Sequence, residues 1–302
     1  FSSVDVMSPG SSTAQTIFRS VESTCPFSVN KNRNQIFHRT ALFLPRLIQG
    51  LQNCGEDYLE RLKDRHRKRV NEGPDKEISL GAVSVIKDTI KFIGRVTPLV
   101  INKLLFTDAF DWHIMVHREE NRDPVTDGFE RFRQLKSPDG VFWADPFAVY
   151  ENGRHYIFVE EFIYSINKAH ISLLELDSAG SLISHRKVIE RPYHMSYPFI
   201  FKEGGCWYMI PETASNNTVE LYRCIDFPYS WEFQKIIMKD VSATDTTLFY
   251  HNEKWWLFAT LDQTGSVSGG STELFLFYAG SPFSDNWVSH PMNPVVSDEA
   301  GA

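Results

Sequence analysis

Cysteine is scarce in this chain. Only Cys25, Cys54, Cys206 and Cys224 occur in 302 residues, at spacings that fit neither a metal motif nor a disulfide scaffold. They are expected to be free thiols, and no metal site and no cofactor is expected. Long apolar runs are also missing. The most apolar window, Val83–Phe106, is broken by Lys87, Asp88, Lys91, Arg95 and Lys103, so no transmembrane segment is expected. No secretory signal is legible at the start, Phe1. Cations are outnumbered, 31 Lys and Arg against 38 Asp and Glu, which argues against a binder of nucleic acid phosphates. The sequence also lacks a Gly-x-Ser-x-Gly elbow, an HExxH motif and a phosphate-binding loop lysine behind Gly265–Gly270.

What is present is unevenly distributed. Hydrophobic residues at 42% and charged residues at 23% describe a globular chain. Residues 1–110 hold 16 Lys and Arg against 11 Asp and Glu, a net of +5. Residues 111–302 hold 15 against 27, a net of −12, together with all seven Trp and ten of the eleven Tyr. A basic, aromatic-poor leader thus precedes an acidic, aromatic-rich body.

Residues 1–30, rich in Ser, Thr and Pro, read as a linker or partly ordered edge. Residues 31–110 read as a helical leader. Ile36, Phe43, Leu44, Leu47, Ile48 and Leu51 form a stripe with an interruption expected at Pro45, and Asp57–Val70 continues as a charged helix. Its basic end, Arg65–Arg69, suits a solvated helix C-terminus. Helical spacing resumes over 78–106.

Beyond residue 140 the period becomes two, and a repeat emerges. Asp145–Tyr150 leads through Asn152-Gly153 into Tyr156–Glu160. Tyr197–Phe201 leads through Gly204-Gly205 into Trp207–Glu212, and Asp245–Tyr250 leads through Asn252-Glu253 into Trp255–Phe258. Each unit supplies two further strands: Ala169–Asp177 and Ser184–Arg191, Thr218–Asp226 and Glu232–Asp240, Thr272–Ala279 and Val288–Val296. Four short strands per unit, recurring about every fifty residues, is the pattern of propeller blades. The fold class expected is therefore mainly β: an incomplete, five-bladed β-propeller over 111–302, about three blades long, preceded by an α-helical N-terminal segment.

The start of an innermost strand lies beside a propeller's axis, so Asp145, Tyr197 with His194 before it, and Asp245 are expected to converge. Glu160 and Glu212 occupy equal positions at second-strand ends, where the third unit has Thr260. Paired carboxylates can divide acid and base roles, and aromatic rings such as Trp143, Tyr197 and Trp255 can stack on sugar faces. The candidate catalytic residues are Asp145, Glu212 and Asp245. The candidate substrate-binding residues are Trp143, Glu160, His194, Tyr197 and Trp255. Structural alternatives remain for each: turn bonding for the two aspartates, packing between blades for Trp255, and a hydrogen-bonded core position for His194. Glu161 and Asp262 are expected to point outward. Asn216-Asn217-Thr218 is a glycosylation triplet.

Through Phe142-Trp143-Ala144-Asp145-Pro146-Phe147, His194–Phe199, Tyr208-Met209-Ile210-Pro211-Glu212 and Trp255–Thr260, the segment from about Leu105 to Val296 resembles the N-terminal domain of plant glucosamine inositolphosphorylceramide transferases. Similar domains follow formyltransferase-like units, and Asn32-Arg33-Asn34 looks like such a junction. Ala144-Asp145-Pro146 is also distantly similar to the first-blade motif of family-43 glycoside hydrolases, which implies a general base at Asp145. The second unit departs from that pattern, with Tyr197 in the equivalent place. The resemblance implies a sugar, glycan or glycolipid ligand, further domains in the full-length protein, and a cytoplasmic or Golgi-lumenal setting. It leaves three readings: a carbohydrate-recognising domain of a glycosyltransferase-associated protein, a glycosidase-like or glycosyl-transferring enzyme using Asp145 with Glu212 or Asp245, and an accessory domain of a formyltransferase-like enzyme.

Overall fold

The computed structural model describes residues 2–6, 15–20, 29–69, 112–117, 132–262 and 273–296, with Lys91, Gly94 and Thr97 as single helical positions. The rest of the helix expected over 78–106 lies outside the described residues. The chain divides into two compact units, one centred on residues 1–110 and one on 111–295.

In the first unit, β1 (Ser2–Val6) and β2 (Gln15–Ser20) pair antiparallel where a linker was expected. Helix α1 (Val29–Cys54) runs through Pro45, whose side is open to solvent, instead of breaking there. The break comes at Gly55, whose φ of +63° suits a residue without Cβ, and α2 (Asp57–Arg69) follows. The return of α2 is possible because Gly50 also lacks a Cβ, which would stand 2.1 Å from the buried Tyr58 ring. Phe18 of β2 stacks on Phe43 of α1 at 5.3 Å.

The second unit is mainly β. A short hairpin, β3 (Ile114–Val116) with β4 (Arg133–Leu135), precedes three four-stranded antiparallel sheets. The first sheet is β5 (Val141–Glu151), β6 (Arg154–Ile163), β7 (Lys168–Leu176) and β8 (Leu182–Ile189). The second is β9 (Ser196–Glu203), β10 (Cys206–Thr213), β11 (Thr218–Asp226) and β12 (Ser230–Lys239). The third is β13 (Ala243–His251), β14 (Lys254–Leu261), β15 (Leu274–Ala279) and β16 (Val288–Ser289). Each is a simple meander, and β5, β9 and β13, the first strand of each, lie beside one another as in propeller blades.

Two-residue turns at Asn152-Gly153, Gly204-Gly205 and Asn252-Glu253 join the first two strands of each sheet, all six residues at positive φ. Residue alternation then packs sheet on sheet. Met209 and Tyr222 point from the second sheet toward Phe158, Ile171 and Leu173 of the first. Ile210 and Leu221, one position on, point toward Leu257, Ala259 and Phe277 of the third. The opposite face of the first sheet, with Trp143, Ile157, Val159 and Leu174, is covered by Ile114 and Leu135 of the hairpin.

The last strand is shorter than the alternation predicts. Pro291 and Pro294 have no N–H for a ladder. The Asn293 side chain stands in, accepting from Leu276 N–H at 2.8 Å and donating to Leu276 O at 2.8 Å. Among the described residues Cys54, Cys206 and Cys224 are free thiols. No helix among them is long and apolar enough to cross a membrane.

Candidate functional site

Each innermost strand carries a β-bulge at the same repeat position. Pairing slips between Ala144 and Phe147 on β5, opposite Ile210–Glu212 on β9, and between Thr244 and Thr247 on β13. At the centre of each slip sits a non-glycine residue with positive φ: Asp145 at 49°, Tyr197 at 42° and Asp245 at 53°. This left-handed conformation is uncommon for such residues and costs about 1–3 kcal/mol apiece. Bulges of this kind bend a strand and re-aim a side chain.

The bulges are tied to carboxylates of the preceding sheet. Tyr197 N–H donates to Asp145 Oδ2 at 3.2 Å, and Asp245 N–H donates to Glu212 Oε2 at 3.2 Å. Tyr197 Oη is bonded to Thr247 Oγ1 at 2.9 Å, and its ring meets Phe147 edge-on at 5.0 Å. Glu160, from the end of β6, is hydrogen-bonded to Asp145 and feels Glu212 and Asp245 as well. The structure therefore brings Asp145, Glu160, Glu212, Asp245 and Tyr197 together from three sheets.

Four carboxyl groups in one place cannot all ionise freely. Glu160 is 8% exposed, and its carboxyl is pushed up to about 8 by burial first, then by Asp145, Glu212 and Asp245. Glu212 is pushed up to about 7, again by burial first, with Asp245 and Asp145 adding to it against the opposing Asp245 N–H bond. Asp245, more open to solvent, is raised by desolvation and then by the Asp145 charge. At neutral pH Glu160 holds a proton and donates to Asp145.

His194 joins from the segment before β9. Ala169 N–H donates to its Nδ1 at 3.2 Å, so that nitrogen must be the acceptor and the ring proton sits on Nε2. Nε2 lies 3.4 Å from Glu160 Oε1. Burial lowers the His194 pKa, against the pull of Asp145, which favours the neutral ring. His194 thus stands beside Glu160 as a neutral ring rather than as a second charge. No group of three or more His, Cys, Asp or Glu among the described residues is placed to hold a metal.

The two tryptophans expected as stacking platforms are elsewhere. Trp143 is 1% exposed, and its Nε1–H donates to Glu161 Oε2 at 2.9 Å on the face covered by the hairpin. No ring face is left for a ligand. Trp255 pairs with Tyr250 next to the hairpin turn, five residues from the Asp245 bulge, and packs on Tyr250 at 5.3 Å and Phe201 at 5.8 Å. It joins the core between the second and third sheets.

Two arrangements escaped the sequence reading. Glu161 faces away from Glu160 as alternation requires, yet it is buried rather than solvated. Burial alone would raise its pKa, but bonds from His170, Trp143 and His185 hold it down at about 2. Glu220, also buried, accepts from Tyr193 at 2.7 Å, Tyr222 at 2.7 Å, Thr218 at 3.0 Å and Asn216 at 3.1 Å. Both are anchors of the frame. The sequence signal for Glu220 is an acid between two apolar strand residues, Val219 and Leu221, whereas Glu161 beside Glu160 carries none.

Fold and site together define a class: a mainly β repeat protein of four-stranded antiparallel meanders, with acidic groups gathered where the inner strands begin. The chain belongs to the family described as "Glucosamine inositolphosphorylceramide transferase 1, N-terminal", whose pattern matches residues 132–302. Glucosamine inositolphosphorylceramide transferase 1 of Arabidopsis thaliana is 30% identical over 157 residues, 52% of this chain and 20% of that protein. The protein of the same name from Oryza sativa subsp. japonica is 31% identical over 159 residues, 52% of this chain and 21% of that protein. The match thus spans about one fifth of these relatives. Among solved structures, a thermostable family-43 glycoside hydrolase is 13% identical with a TM-score of 0.39, covering 51% of this chain and 56% of that one. Zg3597 from Zobellia galactanivorans, a family 117 glycoside hydrolase, is 14% identical with a TM-score of 0.44, covering 63% and 64%.

Proposed function

We infer that this unit is the carbohydrate-recognising domain of a protein that modifies glycans or glycolipids, and that its three sheets are blades of a five-bladed propeller. The observation that carries the reading is the meeting of Asp145, Glu160, Glu212 and Asp245 from three successive sheets. Ionised and protonated carboxyls side by side offer both acceptors and donors to vicinal hydroxyl groups, which is the hydrogen-bonding demand of a sugar. The strain held at three equivalent bulges supports the same reading, because bulges that aim side chains cluster at functional sites. The names of the curated relatives agree with a glycolipid ligand.

One observation favours a catalytic second reading. Glu212, raised to about 7, carries a transferable proton near neutral pH, while Asp145 lies within its electrostatic reach. In that reading Asp145 acts as base, with Glu212 or Asp245 as its partner. The two readings separate in one experiment. Asp145→Asn and Glu212→Gln are compared with the unaltered chain on a glycan array and in turnover assays with nucleotide sugars and glycans. Recognition alone predicts binding that Asp145→Asn weakens, with no turnover by any variant. Catalysis predicts turnover that Glu212→Gln removes while affinity persists. Binding and turnover both untouched by Asp145→Asn would sink both readings.

A further inference from the structure

The rim beside Glu160 differs between repeats in a way that packing does not require. Seven positions separate Glu160 from Asn167, the left-handed residue that ends the turn after β6. Five separate Glu212 from Asn217, its counterpart after β10. Strand β6 therefore runs two residues further than β10, while the turns that follow are of equal length. The end of β6 and its turn read Phe162-Ile163-Tyr164-Ser165-Ile166, and the turn residues Tyr164-Ser165-Ile166 stand where the second sheet has Ala214-Ser215-Asn216. The second sheet makes the same turn with small and polar residues, so the turn itself does not require the larger apolar set.

The longer strand end and the turn's larger side chains build a shelf. Phe142 and Phe162 stack at 4.9 Å with 12° between their planes, and Tyr164 stands edge-on to both at 5.7 Å and 5.8 Å. Tyr164 N–H donates to Gly140 O at 3.1 Å, which fixes the turn against the start of β5. Tyr164 is 38% exposed and Ile166 55%, so the shelf's outer surface is open. It is also continuous with the carboxylates. Phe162 follows Glu160 by two positions on the same face of β6. The His194 ring stands between them, its centroid 6.1 Å from that of Phe162 and its Nε2 3.4 Å from Glu160.

The geometry points to a second subsite at Tyr164, Phe162 and Ile166, which takes the apolar C–H face of a sugar ring whose hydroxyl groups reach the carboxylates. It rests on the carbohydrate reading above and adds where a ring lies. An apolar shelf alone would suit many ligands. An apolar shelf joined edge to edge with hydrogen-bonding carboxyls suits a pyranose or furanose, which is apolar on its faces and polar around its perimeter. It also gives the stacking role, which Trp143 and Trp255 cannot fill, to residues on the open side of the same cluster.

The test uses the whole chain, a printed array of defined glycans, and calorimetric titration of the glycan bound most tightly. Tyr164→Ala is expected to weaken that binding about tenfold, whereas Tyr164→Phe, which keeps the ring, stays within about twofold. Thermal melts check that both variants remain folded, as an exposed turn residue allows. If Tyr164→Ala binds like the unaltered chain while Asp145→Asn loses binding, the shelf is refuted and the carbohydrate reading stands. If the unaltered chain retains no glycan on the array, both fall together.

Discussion

Replacing Glu160 by Gln probes the electrostatic core of the site. The folded carboxyl is pushed up to about 8. In the unfolded chain it ionises near its ordinary value of about 4.3. The fold therefore holds a proton that the unfolded chain has released. The stability this contributes is complete below the ordinary value and is lost as pH rises toward 8. Between pH 5.5 and 7.5 the loss runs at up to about 1.36 kcal/mol per pH unit, or about 2–3 kcal/mol across the interval. Gln preserves the shape and hydrogen bonding of the protonated acid but does not titrate. Urea denaturation at the two pH values, performed on both proteins, isolates this residue, because Glu212 is present in each. The free energy of the variant relative to the unaltered chain should improve by about 2–3 kcal/mol on going from pH 5.5 to 7.5. Parallel pH profiles would refute the raised pKa of Glu160.

Two further outcomes test the frame. Phe158 is fully buried between the first and second sheets, and Phe158→Ala should cost about 3–5 kcal/mol in denaturant unfolding. Glu161 has the opposite sign to Glu160: its depressed pKa contributes stability above the ordinary value that is lost as pH falls toward about 2. Between pH 5 and pH 3 the unaltered chain should therefore lose about 1–2 kcal/mol more than Glu161→Gln, read by circular dichroism melts.

Much of the repeat is written in local chemistry. The period-two alternation and the Asn152-Gly153 and Gly204-Gly205 turns specify the hairpins, and the equal placing of Glu160 and Glu212 announces their equivalence. The bulges are not legible, because nothing marks Tyr197 as a residue that will take a φ of 42°. They also explain the misplacing of Trp143. Strict alternation puts Trp143 on the same face as Asp145, but the slip between Ala144 and Phe147 breaks the count between them. Trp255 takes the structural alternative, packing between sheets. Its distance from the site follows from the pairing with Tyr250 beside the turn, which puts it at the far end of the strand from Asp245. The truncated β16 follows from two prolines, whose effect on the ladder is foreseeable, although the substitution of Asn293 for a strand is not. Glu161 required three partners, from β5, β7 and β8, that no single-strand pattern brings together.

Because Asp145 and Glu212 each hold a backbone amide of the following sheet, they fasten the frame whatever else they do. Alanine at either position would strip a neighbour's bulge of its anchor, and a dead variant would say little about chemistry. Amide side chains keep an oxygen in place, so they can distinguish a lost reaction from a loosened scaffold.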